Sequence, residues 1–328
     1  MFKVLMVGCG SMAGGGNPPR SESYAQVIER SQVLTLAMAV DTNSKKATDF
    51  GLSYGCDTQT NLSKALNACS PDVAVIASPD DDHASSLMKI LQHANCPSLI
   101  VVEKPVCVSF EELKKIKKIS RELGVQVIVN HSRRLDSRYR QLREEIRISL
   151  LGAPIKIRCV YYGGWMHNGI HMVDILSFLF DRAPVWKKCT DVKPGRFPSD
   201  PSWSLIGTIG KERIDVEFEA VDESFYQLFE LDFRFQNGRV LVSDFENEFH
   251  YFSAHYDLHG DRVLNNTSVE ENDQGSSGTE KLISLLAKSL LGEFEEQLID
   301  LSLQSTESSM QSLFEGVLIG NQYRSNAQ

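Results

Sequence analysis

Short apolar runs alternate with helix-like segments through the first 130 residues: KVLMVG, SYAQVIERS, LTLAMAVD, LSKALNAC, DVAVIAS, HASSLMKILQHA, SLIVVEKP, FEELKKIKKISRELG and VQVIVN. Few folds accept that rhythm. Strand runs that are apolar at every position are buried on both faces, and successive parallel strands need a crossover helix between them. The expected N-terminal fold is α/β, a doubly wound (Rossmann) parallel sheet with helices on both faces. Beyond residue 150 the pattern changes. IKIRCVYY, RIDVEFEA and LFELDFRFQNGRVLV alternate apolar with charged residues, and Asn237-Gly238 marks a hairpin. This half predicts an α+β domain with an open, mainly antiparallel sheet, one face of it polar. GIHMVDILSFLF reads as a buried helix, two amphipathic helices fall at 280–291 and 306–320, and residues 265–279 read as a mobile polar loop. No internal repeat is visible. The domain boundary is expected near residue 132, giving a dinucleotide-binding domain over 1–132 and a substrate-binding domain over 133–328.

Composition narrows the function classes. The 328 residues carry a formal net charge of −9, so the surface offers no counter-charge to nucleic acid or an anionic membrane. No apolar run approaches the roughly 20 residues that span a bilayer, and MFKVLMVGCG has no signal-peptide cleavage site. The seven cysteines are odd in number and scattered without a CxxC pair, which suits neither a disulfide framework nor a zinc site. A cytoplasmic protein is expected.

The first strand runs into VGCGSMA, with Gly8, Gly10 and Ala13 in GxGxxA spacing around Ser11 and Met12. Glycines at such a turn let backbone N–H groups approach a pyrophosphate at a helix N-terminus. Asp41 ends the second strand, where a carboxylate accepts hydrogen bonds from the adenosine ribose hydroxyls. It repels a 2′-phosphate, so NAD is the expected cofactor, with NADP left open by Lys45 and Lys46. GGGNPPR at 14–20 cannot continue a regular helix, so the phosphate-facing helix must start late or be interrupted. The fourth strand ends in VIASPDDDHA, which places Ser78, Pro79 and His83 at the carboxyl edge where open α/β sheets hold ligands. Asp80 to Asp82 are expected to cap the next helix. The fifth strand ends in IVVEKPV. Glu103 and Lys104 beside Pro105 would make an ordinary solvated turn, but the sheet's geometry brings Lys104 to the same crevice, and both, with His83, are expected among the cofactor contacts.

Together these motifs resemble the Gfo/Idh/MocA oxidoreductases of sugars and cyclitols, from residue 4 to about 180. VNHSRRLDSRYRQLREEI and GIHMVDILSFLF resemble that family's later segments, and EKP followed some seventy residues later by HxxD is a specific combination. The resemblance implies that Lys104 faces the nicotinamide ribose and the substrate hydroxyl, that the peptide before Pro105 is cis, and that His171 is the acid/base, with Asp174 orienting the site. The chemistry agrees. Removing hydride from an alcohol carbon requires a base near neutral pKa at the oxygen and a cation to stabilise the alkoxide. His167 stands where many relatives hold Asp. His167, His171 and Asp174 share a helical face and could ligate zinc, but no cysteine or second carboxylate lies near them, and no metal is expected.

On the substrate side, Arg133, Arg134, Arg138 and Arg140 would suit a phosphate or carboxylate, and Tyr161, Tyr162 and Trp165 an apolar wall for a sugar ring. The expected partner is a small polyol or sugar, with a nucleotide sugar included, and the resemblance implies a homodimer or higher homo-oligomer. Two other readings stay open here: a nucleotide-binding regulator without turnover, and a glycoside-cleaving relative that uses NAD transiently.

Overall fold

The computed structural model describes residues 1–16, 22–271 and 276–326. The chain divides into two compact units, Met1–Leu135 with Gly275–Glu307, and Asp136–Gln274 with Ser308–Gln328.

The first unit is built on six parallel strands: β1 (Phe2–Val7), β2 (Leu34–Val40), β3 (Asp57–Gln59), β4 (Val73–Ile76), β5 (Leu99–Val102) and β6 (Gln126–Val129), in the order β3-β2-β1-β4-β5-β6. Every residue of β4 and β5 is buried, as continuous Val, Ile and Leu runs require when helices cover both faces. Those helices are α1 (Tyr24–Glu29), α2 (Ser44–Tyr54), α3 (Leu62–Cys69), α4 (His83–Leu91) and α5 (Phe110–Leu123). Local chemistry sets their ends. The Ser109 hydroxyl accepts the Glu112 N–H at the start of α5, and Gly124, with φ 65°, ends it. Strand order reverses between β1 and β4, so their carboxyl ends flank the crevice in which this architecture holds ligands.

Chain order alone assigns residues 276–307 to the C-terminal domain, yet they pack in the first unit. Leu282, Ile283, Leu285 and Leu286 of one helix, with Leu298 and Leu301 beyond it, join the core around Val4, Met6 and Val75. The Val129 N–H donates to the Leu301 carbonyl at 2.8 Å. Apolar periodicity identifies such helices without naming the face they cover.

The second unit opens with α6 (Ser137–Arg147) and β7 (Pro154–Tyr161), followed by α7 (Ile170–Phe180), which is buried along nearly its whole length. The strands β8 (Val185–Lys193), β9 (Ser202–Ile209), β10 (Ile214–Ala220), β11 (Glu230–Phe235), β12 (Gly238–Ser243), β13 (Glu248–Tyr256) and β14 (Arg262–Glu271) complete an eight-stranded sheet ordered β14-β13-β12-β11-β7-β10-β9-β8. Only β7 and β10 run parallel among these pairings; the others are antiparallel. The hairpin at Asn237-Gly238 joins β11 to β12 as expected. The polar face is tiled with ion pairs: Lys156 to Glu217 at 2.8 Å, Arg158 to Glu219, and Asp232 to both Arg234 and Arg239.

Residues 265–271 correct the expected loop. They belong to β14, where polar Asn, Thr and Ser side chains are tolerated because the edge strand is exposed almost throughout. The rest of that stretch splits between residues outside those described and the start of α8 (Gly278–Leu290), after which come α9 (Glu296–Asp300) and α10 (Leu303–Asn326). Among the described residues no helix is long and apolar enough to cross a membrane.

Candidate active site

The glycine turn leaves β1 with Gly8 at φ 91°, and a Cβ there would stand 2.7 Å from the Ala77 carbonyl oxygen. Only glycine lets β1 and β4 approach this closely. A Cβ on Gly10, in contrast, would meet nothing within 4 Å, so the turn faces open space at that point. Asp41 fixes the turn from the end of β2. Its Oδ2 accepts the Cys9 N–H at 2.9 Å and its Oδ1 the Asn43 N–H at 2.8 Å, and each oxygen keeps a lone pair.

The helix expected after this turn is interrupted. Gly14 N–H donates to Gly10 O as in a first helical turn, but the next bonds come from Tyr24 N–H to Met12 O and Ala25 N–H to Ala13 O. Tyr24 thus takes the place residue 16 would hold in an unbroken helix. Residues 17–20 of GGGNPPR, and Ser21 after them, lie outside those described.

At the carboxyl end of β4 the Ser78 hydroxyl is buried and has no hydrogen-bond partner among the described residues. That orphaned group, the open side of Gly10 and the spare acceptors of Asp41 fit a dinucleotide. His83 corrects one expectation. It is fully buried, and its ring nitrogens lie 2.7 Å from the Pro105 and Ser78 carbonyl oxygens, so it clamps two turns together and both ring nitrogens are engaged by the backbone. Asp80–Asp82 form a tight turn ahead of α4, and Asp82, at the N-cap place, makes no side-chain cap bond.

The EKP turn has a buried root. Glu103 turns inward, another correction to its place among expected cofactor contacts: its Oε1 accepts from the Tyr24 hydroxyl and from Asn130 Nδ2, each at 2.7 Å, and Asn130 also donates to Tyr24. All three are buried. Burial, and then the Glu103 carboxylate, push the Tyr24 phenol well above its ordinary range, so it stays a donor. Lys104 is half-buried, and the Lys104-Pro105 peptide is cis.

In the second unit, β7 ends at Tyr161, and Tyr162 and Gly163-Gly164 then lead into Trp165–Gly169, one widened turn closed by an i→i+5 bond from Gly169 N–H to Gly164 O. Such π-turns recur at functional sites. This one carries His167 and leads directly into α7 with His171, both half-buried. Asp200 caps it, its two carboxylate oxygens accepting the Met166 and His167 N–H groups at 2.8 and 2.9 Å. Gly164 at φ 109° is needed because a Cβ would collide with that carboxylate. Asp174, one turn beyond His171, is buried and accepts from the Ser309 hydroxyl at 2.9 Å.

Three expectations on the substrate side change. Tyr161 and Trp165 are sealed in the core, Trp165 Nε1 donating to the Leu313 carbonyl at 2.8 Å, and cannot wall a ligand. Arg134 is buried on the Asp300 carbonyl, and Arg138 is held by Asp136 and the Asn247 carbonyl. Arg140 lies over the Phe178 ring. Arg134, Arg138 and Arg140 thus have structural employment. Sequence reading missed Asp200, whose only signal is an Asp-Pro turn, and Tyr24 and Asn130, which look like ordinary core and strand-end residues.

Residues 2–131 match the family model described as "Oxidoreductase family, NAD-binding Rossmann fold" for Gfo/Idh/MocA proteins. Over residues 2–131 the first unit is thus similar to the NAD-binding Rossmann domain of the Gfo/Idh/MocA oxidoreductases. An inositol 2-dehydrogenase of Mycolicibacterium smegmatis is 26% identical over 179 residues, which are 50% of this chain and 51% of that protein. The match thus spans about half the length of that relative. A 3-ketoreductase of Actinomadura kijaniata, solved with NADP, superposes with a TM-score of 0.73 at 12% identity, covering 97% of this chain and 96% of the other. An oxidoreductase of Agrobacterium radiobacter, solved with NAD+, L-tartaric acid and magnesium, does so with a TM-score of 0.69 at 13% identity, over 95% and 94%. At these identities the two structures establish the fold.

Proposed function

We propose that this chain is a Gfo/Idh/MocA protein, an NAD-dependent dehydrogenase that moves a hydride between nicotinamide and a hydroxyl-bearing carbon of a cyclitol or sugar. The observation that carries the reading is the EKP turn: a half-buried lysine at the end of β5, anchored through Glu103 to Tyr24 and Asn130, and through Pro105 to His83. A solvated turn needs no such anchoring. In the sheet, β4 separates β5 from β1 and its open glycine turn. When bound, NAD supplies the hydride acceptor. Gly8 to Ala13 receive its phosphates, and Asp41 its adenosine ribose through the lone pairs left by Cys9 and Asn43.

Lys104 stabilises the alkoxide as the substrate hydroxyl loses its proton, and His171 takes that proton. His167 hydrogen-bonds the substrate. Asp174, held by Ser309, keeps α7 in place under His171. The named relative supports a cyclitol, and the structural use of Arg134, Arg138 and Arg140 takes support from a nucleotide sugar.

The test is NADH formation from NAD+ with myo-inositol, scyllo-inositol and a panel of free aldoses, for the native chain and for Lys104→Ala and His171→Ala. Turnover on at least one polyol, lost in both variants, is expected. Tight NAD binding with no turnover of any polyol would replace this reading with a non-catalytic regulator. Aglycone release from a glycoside without net NADH would replace it with the glycoside-cleaving reading.

A further inference from the structure

We propose that Phe245 and Tyr162 form an aromatic wall against which the C–H face of a substrate ring stacks, making Phe245 a specificity-determining residue; this rests on the polyol reading above. The first observation is backbone strain. Asp244, Phe245 and Glu246 follow one another at φ 47°, 52° and 69°, three consecutive non-glycine residues in the left-handed region. The Cβ of each crowds its own backbone there, and such residues persist only where their surroundings fix them.

The surroundings are explicit. The Tyr139 hydroxyl donates to Glu246 Oε1 at 2.6 Å, the Asn247 N–H to the Asp244 carbonyl at 3.0 Å, and Arg138 Nη1 to the Asn247 carbonyl at 3.1 Å. Arg138 is in turn locked by Asp136 and lies 4.4 Å above the Phe249 ring centre. All this holds a turn that leaves Phe245 48% exposed. Burial of the phenyl ring therefore does not repay the strain.

The second observation is where the ring goes. The Phe245 and Tyr162 rings meet edge to face, their centres 6.2 Å apart at 82°. Tyr162 directly precedes the Gly163-Gly164 turn that carries His167, and β7 and β12 both end at this edge of the sheet. His167 has an aromatic neighbour of its own, Phe197, at 5.8 Å and 89°, and Phe197 is likewise 48% exposed. A cyclitol or pyranose carries hydroxyls round its rim and a face of C–H bonds with partial positive charge. That face suits the negative face of an aromatic ring, and the hydroxyl rim suits His167.

The experiment uses Phe245→Ala, Phe245→Trp and Phe245→Gly in the full chain. Steady-state kinetics on the best polyol are combined with saturation-transfer NMR of myo-inositol and D-glucose in the presence of NADH. Phe245→Ala should raise KM about ten- to hundredfold, as expected for one lost pocket contact, with kcat changed far less and saturation transfer weakened. Phe245→Trp should keep KM near the native value. Phe245→Gly relieves the left-handed strain, so it should raise Tm while losing affinity like Phe245→Ala, a split that a structural role does not produce. Turnover with native KM in Phe245→Ala and Phe245→Gly overturns the wall and leaves the dehydrogenase reading standing. Saturation transfer that Phe245→Ala abolishes, without turnover, supports the wall and overturns the dehydrogenase reading. No transfer to any ring from the native chain overturns the wall as well.

Discussion

The Tyr24 hydroxyl donates to Glu103 Oε1 at 2.7 Å across 79 positions of sequence, joining the helix that resumes after the broken glycine segment to the root of the EKP turn. Asn130, donating to both, closes a buried triangle. Deleting one partner of a buried hydrogen bond leaves the other to bear its desolvation cost. Tyr24→Phe should therefore destabilise the chain by about 1–3 kcal/mol, read as a lower urea midpoint at unchanged m. Its NAD affinity should fall much less than its kcat, because the triangle supports Lys104 and not the glycine turn. An unchanged midpoint would show the triangle to be dispensable.

Asp41 makes a second prediction. Its carboxylate both holds the Cys9 N–H and keeps acceptors for ribose hydroxyls, while repelling a 2′-phosphate. Fluorescence titration should show NAD binding more tightly than NADP. Asp41→Ala should narrow that gap while weakening both, since the glycine turn loses its anchor. Tighter NADP binding by the native chain would remove Asp41 from the ribose.

These two sites show what was legible in the sequence. The parallel sheet, the glycine turn and Asp41 follow from local patterns, because a parallel sheet buried on both faces requires continuous apolar strands. Lys104 and His171 could be picked out as candidates through the family resemblance that EKP and HxxD carry. Tyr24, Asn130 and Asp200 could not, since each matters through a partner 27 or more positions away. Trp165 was misplaced for a related reason. An aromatic beside glycines reads equally as ligand wall or core, and only the Leu313 carbonyl receiving its N–H decides for core. The polar run 265–271 reads as a loop because its strand lies at a sheet edge, where hydrophobic alternation is not required.

Asp200 supplies a third prediction. Its two oxygens cap the π-turn that positions His167 and leads to His171. Asp200→Asn keeps one acceptor and turns the other end into a donor facing an N–H, so it should lower kcat and raise KM together and cost about 1–2 kcal/mol in stability. His171→Ala should slow hydride transfer by roughly 10²- to 10⁴-fold, the usual range for a general base, with KM little changed. His167→Ala should act mainly on KM. If His167→Ala instead loses kcat as severely as His171→Ala, the two histidines act as one unit.

The last prediction concerns alkaline pH. Burial first, and then Asp41, push the Cys9 thiol up from 9.0 to about 12; burial and Glu112 do the same to Cys107, and burial and Asp57 raise Cys56 to about 11. Each group is held in its neutral form by the fold. In the unfolded chain these thiols ionise near pH 9, which stabilises that state, so their contribution to stability is fully present below pH 9 and is lost as pH climbs towards 11 to 12. Tm should be level through neutral pH and fall above pH 9. The double variant Cys9→Ala/Cys107→Ala should show a shallower fall, because two of the linked protons are gone, even if its Tm at neutral pH is lower through lost packing. Cys9 should also resist alkylation at neutral pH although it lies in the nucleotide turn, since the thiolate is the reactive form. Thermal scans across pH, with mass-spectrometric mapping of iodoacetamide adducts, provide the measurement. An identical alkaline slope in the double variant, or rapid labelling of Cys9 at neutral pH, would show that these thiols are not held neutral by the fold.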